Sequence, residues 1–337
     1  MRDFLDIAED LMRDRASGVD HAAFARVFEG IHHLRRAHSN AQLDVQNIET
    51  VLAAFEMAEL FGTLGDMAPE DVKKLSASMR TLIVDTIENR IQFKRGTASL
   101  EPPRTYSWLA LLCKQMLDDG KPPTIITFNY DTALDYALHY YRANPSYCLD
   151  GAEPNGVRLL KLHGSLNWAT SPDAPEEIVA LPWSQLTGSM HLGSSETLSV
   201  PVSKFLGKLG DKYARRPVIV APSWSKLPSY QLLAPVWRRA ARELRDAEYI
   251  DVAGFSLAAS DGFFQMLYGI GTTGRARIRR FAVADPNIEE IRDRFENLLG
   301  QAALPQFKPV DEYFDGFVEN HLRHAWGYPT YPLHHYY

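Results

Sequence analysis

Apolar residues in the first third of the chain return every three or four positions. Phe24, Val27, Phe28, Ile31 and Leu34 do so, as do Ile48, Val51, Leu52 and Phe55, the spacing of helices that bury one face. Val72, Leu75, Met79, Leu82, Ile83, Thr86, Ile87 and Ile91 form a third stripe. TYSWLALLCKQML forms a fourth, closed by the turn DDGKPP. The first third therefore reads as helical throughout, and its stripes as core rather than ligand contacts.

After Pro123 the texture changes. Short apolar runs appear, each bounded by turn residues: TIITF, VRLLKLHG, PVIVAP, YIDVAGF and IRRFAVAD. Helical patterns separate several of them, in DTALDYALHYY, SYQLLAPVWRRAARELRD, SDGFFQMLY and NIEEIRDRFENLL. Alternating strand and helix predicts an α/β fold, a mostly parallel sheet with helices on both faces. The expected organisation is a helical module over 1–120, a core domain over 121–300 with an irregular insertion at about 171–216, and a C-terminal helix with an aromatic tail over 301–337. The tail WGYPTYPLHHYY has no assigned role.

Ligands of such sheets bind outside the carboxyl ends of the strands, so the residues there are the candidates. After TIITF, Asn129 and Asp131 sit in a turn, where Asp is also a favoured helix cap and Asn tolerates turn geometry. After VRLLKL, His163 precedes Gly164, which permits close approach of another backbone or a ligand. A histidine in that position is a candidate acid or base, because its ordinary pKa lies near neutrality. Gly254 and Ser256 follow YIDVA. The nucleophile elbow G-x-S-x-G lacks its second glycine here, and the pair suits phosphate or ribose contact better. Asp285 follows IRRFAVA and could accept from a ribose diol, although Asp-Pro is also an ordinary helix start.

One motif is set aside. GIGTTG, residues 269–274, fits G-x-G-x-x-G by letter, but it falls between a helix and a strand, the reverse of the order a dinucleotide site needs. It is expected to close the helix and turn the chain.

Composition narrows the classes. The 337 residues carry a net charge of −6, with 45% hydrophobic and 23% charged positions, ordinary for a globular protein. That balance gives no support for nucleic-acid binding. Only two cysteines are present, Cys113 and Cys148, so a four-cysteine zinc ribbon is excluded and a reducing, cytoplasmic setting is expected. MRDFLDIAED is too charged for a signal peptide, and the apolar stretch after position 248 is broken by Asp251 and Asp261, so no membrane span is expected. His32, His33 and His38 cluster, and His321 and His324 lie three apart. Neither group completes a familiar ligand spacing, and no zinc is expected.

Taken together, TFNYD resembles the T-x-N-x-D motif of the sirtuins, HGS their His-Gly, and GFSLAASD their G-x-S-L segment. ITFNYDTALD, KLHGSLNW and VAGFSLAASD are similar to the NAD-hydrolase branch of sirtuin-like proteins in bacterial defence. The resemblance covers roughly residues 105–300. It implies a Rossmann-like domain that binds NAD, with Thr127, Asp131, Gly164, Gly254, Ser256 and Asp285 at the cofactor. It further implies Asn129 orienting the ribose hydroxyls or an attacking water, and His163 as general base. The zinc module of the deacetylases is missing, which favours water over acyl-lysine as acceptor and so NAD hydrolysis. The glycine-rich strand–loop that opens the family is also missing before Ile125, so weak NAD binding and slow turnover are expected. The alternatives are a non-catalytic NAD or ADP-ribose sensor or scaffold, and an NAD-dependent protein deacylase. Self-association or a defence-system partner protein fits the resemblance.

Overall fold

A computed structural model describes residues 3–36, 43–95, 100–151, 155–170, 174–181, 183, 197–199, 217–220, 227–257, 262–274 and 277–328. The chain divides into two compact units. Unit 1 comprises Met1–Leu100 and His163–Leu232, and unit 2 comprises Glu101–Leu162 and Leu233–Tyr337.

Unit 1 begins with helices α1 (Asp3–Arg13), α2 (His21–Arg36), α3 (Ile48–Phe61), α4 (Pro69–Val72) and α5 (Leu75–Arg90). The first two apolar stripes become the buried faces of α2 and α3: Phe24, Val27, Ile31, Val51, Leu52 and Phe55 are all buried. Asn47 starts α3, its side chain accepting from the backbone N–H groups of Glu49 and Thr50 at 2.9 and 3.4 Å. The third stripe is split. Val72 closes α4 and Leu75 opens α5, so both halves of the periodicity are helical but the axis breaks between them.

The expectation of helix throughout the first third does not hold. Strand β1 (Gln92–Arg95) follows α5, and β2 (Leu100–Glu101) carries the chain toward unit 2. A four-residue strand with one buried position, Phe93, is too short to display a period of two. The rest of unit 1 holds β5 (Gly164–Ser165), β6 (Trp168–Thr170), β7 (Ile178–Ala180), β8 (Thr197–Ser199) and β9 (Val218–Ile219). Their pairings are antiparallel: β1 with β8, β5 with β9, β6 with β7. PVIVAP, expected in the parallel sheet, is therefore an antiparallel partner. Most of the irregular 171–216 stretch lies outside the described residues.

Unit 2 alternates as the pattern predicts. It runs α6 (Arg104–Asp118), β3 (Thr124–Thr127), α7 (Ala133–Tyr140) and β4 (Arg158–Lys161), and resumes within helix α8 (Leu227–Asp246). Then come β10 (Tyr249–Ala253), α9 (Gly262–Gly271), β11 (Arg280–Ala284), α10 (Ile288–Leu298) and β12 (Phe307–Val310). A short helical segment, Phe314–Ala325, contains a π-turn over Phe317–Leu322. Strands β3 and β4 pair in parallel, Thr127 opposite Lys161, and β10–β11–β12 form a parallel sheet with β11 central. The fold is thus mixed α/β with small parallel sheets. After Arg280, β11 is an unbroken apolar run whose four residues are all buried, the pattern of a strand covered on both faces.

Helix α6 explains why TYSWLALLCKQML is apolar nearly all round. Trp108, Leu112 and Met116 pack with Ala282 and Ala284 of β11 and with Phe317 and Val318, while Ala110 and Cys113 pack with Ala137 of α7 and Leu159 of β4. Two stripes on one helix serve two neighbours. Among the described residues, no helix is long and apolar enough to cross a membrane.

Candidate functional site

In unit 2 the chain leaves β3 at Thr127 and turns over five residues into α7. The ladder extends one step past the strands, where the Leu162 N–H donates to the Thr127 carbonyl at 2.9 Å. Within the turn the Asn129 N–H donates to Thr127 Oγ1 at 3.1 Å, and the Ala133 N–H donates to Asp131 Oδ1 at 2.9 Å. Asp131 therefore closes an Asx turn onto the first residue of α7, while the N-cap position itself falls to Thr132. The Asn129 residue is exposed.

Beneath this turn lies a group that the sequence reading passed over. Lys161 ends β4 and is 1% exposed. Its Nζ donates to the Asp131 carbonyl and, at 2.9 Å, to Asp135 Oδ2. Asp135 is equally buried and accepts a second bond from the Tyr147 hydroxyl at 2.7 Å. An ammonium removed from water costs several kcal/mol unless paired and fully hydrogen-bonded, and here a carboxylate and a carbonyl supply the partners. Lys161 thus ties the Asn129–Asp131 turn to β4. Burial raises the Asp131 carboxyl above its ordinary value. Lys161 and the Ala133 N–H oppose that shift, and Asp135 adds to it. Burial, with the charges of Asp131 and Asp135, likewise drives the Tyr106 phenol upward.

The turn after β10 carries Gly254 and Ser256, both exposed. Gly254 has φ of +65°, and a Cβ added there would meet nothing within 4 Å, so backbone conformation rather than crowding selects glycine. Phe255 stacks on Phe128 with centroids 5.0 Å apart and planes 18° apart, and Phe264 of α9 meets both rings edge-on at 5.1 and 5.8 Å. These three rings bring the turn bearing Asn129 against the turn bearing Gly254. The motif letters concealed them, although an aromatic beside each candidate residue was the available signal.

Asp285 follows β11. Its N–H donates to the Val310 carbonyl at 3.1 Å, and its Oδ1 accepts from the Asn287 N–H at 2.8 Å. One carboxylate oxygen is thus engaged in starting α10, the ordinary role weighed for an Asp-Pro pair.

In unit 1, His163 is 5% exposed, and its carbonyl accepts from the Val220 N–H at 2.8 Å. Gly164 has φ of +88°, and an added Cβ would fall 2.1 Å from the Val218 carbonyl oxygen. The close approach that this glycine permits is made by the backbone of β9. Ser165 donates to Asn167 Oδ1 at 2.7 Å and Asn167 Nδ2 to the Leu181 carbonyl at 3.4 Å, all buried. HGSLN therefore carries a buried polar network, which sequence reasoning did not identify.

GIGTTG follows the helix-to-strand order: Gly269–Gly271 end α9, a turn follows, and β11 comes next. A Cβ added at Gly271 would lie 3.2 Å from Leu244 Cβ of α8. His33 pairs with Asp66 at 3.2 Å and His321 with Glu312 at 3.1 Å, while His38 lies outside the described residues. Among the described residues, no group of three or more His, Cys, Asp or Glu is arranged to hold a metal ion.

No family model matches the sequence, and no curated protein matches it. Among solved structures, the chain is similar to a Sir2 crystallised with the inhibitor EX-527, 2'-O-acetyl-ADP-ribose and a deacetylated p53 peptide, at 14% identity and a TM-score of 0.35, over 68% of this chain and 74% of that one.

Proposed function

We propose that this chain is a sirtuin-like, Rossmann-type NAD-binding protein that cleaves NAD to nicotinamide and ADP-ribose. The observation that carries the reading is the junction of two strand-end turns. Exposed Asn129 and exposed Gly254 and Ser256 follow parallel strands, and the Phe128–Phe255 stack holds their turns together. Strand carboxyl ends are where open α/β sheets bind ligands. The exposed Ser256 hydroxyl and the open space over Gly254 suit a ribose or phosphate. Thr127 fixes the Asn129 turn, Asp131 shapes the nicotinamide end, and Asp285 completes the cofactor contacts, while the space at Gly164 is taken by β9.

The reaction breaks the bond between nicotinamide and C1' of its ribose through an oxocarbenium-like centre. Asn129 orients the ribose hydroxyls or the water. His163 takes a proton as water bonds to C1', and neutral nicotinamide leaves with the bonding pair. NAD depletion in anti-phage defence extends this reading by analogy of motif wording.

A second reading is a sensor of NAD or ADP-ribose without turnover. The near-complete burial of His163 favours it, because a general base must reach water or a ribose hydroxyl. Assay of free nicotinamide after incubation with NAD separates the two. Release supports the enzyme, while saturable NAD binding without release under any condition supports the sensor. Loss of an acyl group from an acylated peptide, only with NAD present, would instead indicate a deacylase.

A further inference from the structure

At the other ends of β3 and β4, where the strands begin, unit 2 has a concavity of about 210 Å³. One wall is the loop after α7, with Cys148 and Asp150, and the other is α8, with Pro235, Arg238, Arg239 and Arg242. Its location follows from Glu243. This carboxylate accepts from Arg239 at 2.7 Å and from the Thr124 hydroxyl at 2.7 Å, and pairs with Arg158 at 3.4 Å. Thr124 and Arg158 are the first residues of β3 and β4. The strand length therefore separates this concavity from the turn bearing Asn129.

The charges do not balance. Among the described residues that line it, three arginines, Arg238, Arg239 and Arg242, face one carboxylate, Asp150. Glu243 is taken by Arg239 and Arg158. Arg238 and Arg242 are exposed and have no ion-pair partner among the described residues. One turn apart on α8, they repel each other. The Cys148 thiol, which burial pushes up, brings no negative charge. The loop opposite is held in an uncommon backbone conformation, with Arg142, Asn144 and Cys148 at φ of 57°, 48° and 55°. Such positions persist only where surrounding structure fixes them.

We infer that this concavity is a binding site for a small phosphate-bearing molecule, held by Arg238 and Arg242, at the opposite strand ends from the proposed NAD site. Its size decides against a dinucleotide, since pockets for molecules of that bulk run from about 300 to 1,000 Å³. The excess of two cations matches a phosphate monoester, which carries about −1.5 to −2 at neutral pH. Guanidinium forks offer the paired N–H groups that its oxygens accept. A monocarboxylate would leave one arginine unneutralised.

The inference does not depend on NAD turnover, and its test is separate. Inorganic phosphate and, in parallel, malonate are titrated into the full chain by calorimetry, with chloride keeping ionic strength constant. Phosphate is expected to bind saturably and more tightly than malonate. Arg238→Gln and Arg242→Gln should each weaken it about tenfold or more, as loss of a charged hydrogen bond does. Melting temperature without phosphate and binding of NAD should stay at the parent's values. Absence of saturable phosphate binding, equal binding by both folded variants, or preference for malonate would overturn the proposal. If phosphate binding falls together with NAD binding in these variants, the two sites are one and the inference fails.

Discussion

Asp131 occupies two roles that pull its carboxyl in opposite directions, and pH separates them. Its side chain closes the turn into α7 and lies in a buried setting that raises its pKa. The folded chain therefore holds the proton more tightly than the unfolded one. This contribution to stability is fully present below the ordinary carboxylate pKa of about 3.9 and is lost as pH rises through the folded value. Asp131→Asn keeps the turn's acceptor and removes the charge. Urea midpoints should show the asparagine variant gaining on the parent between about pH 4 and pH 7. A gap that stays constant would mean that Lys161 and the Ala133 N–H offset burial, and an asparagine variant that loses ground would mean that they outweigh it. The proposed chemistry is tested at the same scale. His163→Ala and Asn129→Ala should each lower nicotinamide release by about 100- to 10,000-fold with unchanged circular dichroism. Normal turnover in either folded variant would remove that residue from the mechanism. Gly271→Ala, in the motif that fails its context, should leave NAD affinity unaltered.

Single elements depend on contacts that only the fold creates. Lys161→Met leaves Asp135 buried with one hydroxyl partner, and should cost about 3–5 kcal/mol in denaturant unfolding. Lys161→Met combined with Asp135→Leu should recover much of that loss, since an apolar pair replaces an ionic one. Gly164→Ala should cost well over about 1 kcal/mol, because both its φ and the Val218 carbonyl reject a side chain. The same contrast governs what could be read in advance. β3, β4, β10 and β11 and the helices between them were legible, because each strand lies in an apolar run bounded by turn residues and the helices are long enough to show their period. The two-residue strand β5 was not, and β9, read in PVIVAP as part of the parallel sheet, pairs antiparallel instead, since that pairing is fixed by residues more than fifty positions apart. Lys161 was equally opaque: a lysine ending an apolar run ordinarily reaches water, and only the partnership with Asp135 buries it. At the strand ends, residue types were readable but not exposure: His163, read as an acid or base, is buried.

At the scale of the molecule, neither unit is continuous in sequence: the chain passes between them at Leu100, Leu162 and Leu232. The 101–162 portion completes its unit only with α8, whose Trp237 donates to the Leu162 carbonyl at 3.0 Å and whose Glu243 meets Thr124 and Arg158. A peptide of residues 101–162 alone is therefore expected to lack the near-ultraviolet circular dichroism of fixed aromatic packing. A native-like signal would show that β3 and β4 need no such cover. The interleaving has a consequence for manufacture on the ribosome. Residues 1–100 emerge before the stretch from 163 that completes unit 1, and residues 101–162 wait for everything after 232. At about 5–20 residues per second, a nascent chain carries two unfinished cores for several seconds, with the apolar stripes of α6 uncovered. Slow translation through 163–232 would lengthen that interval, and holding chaperones would be needed most there, well before either unit could pass inspection as folded.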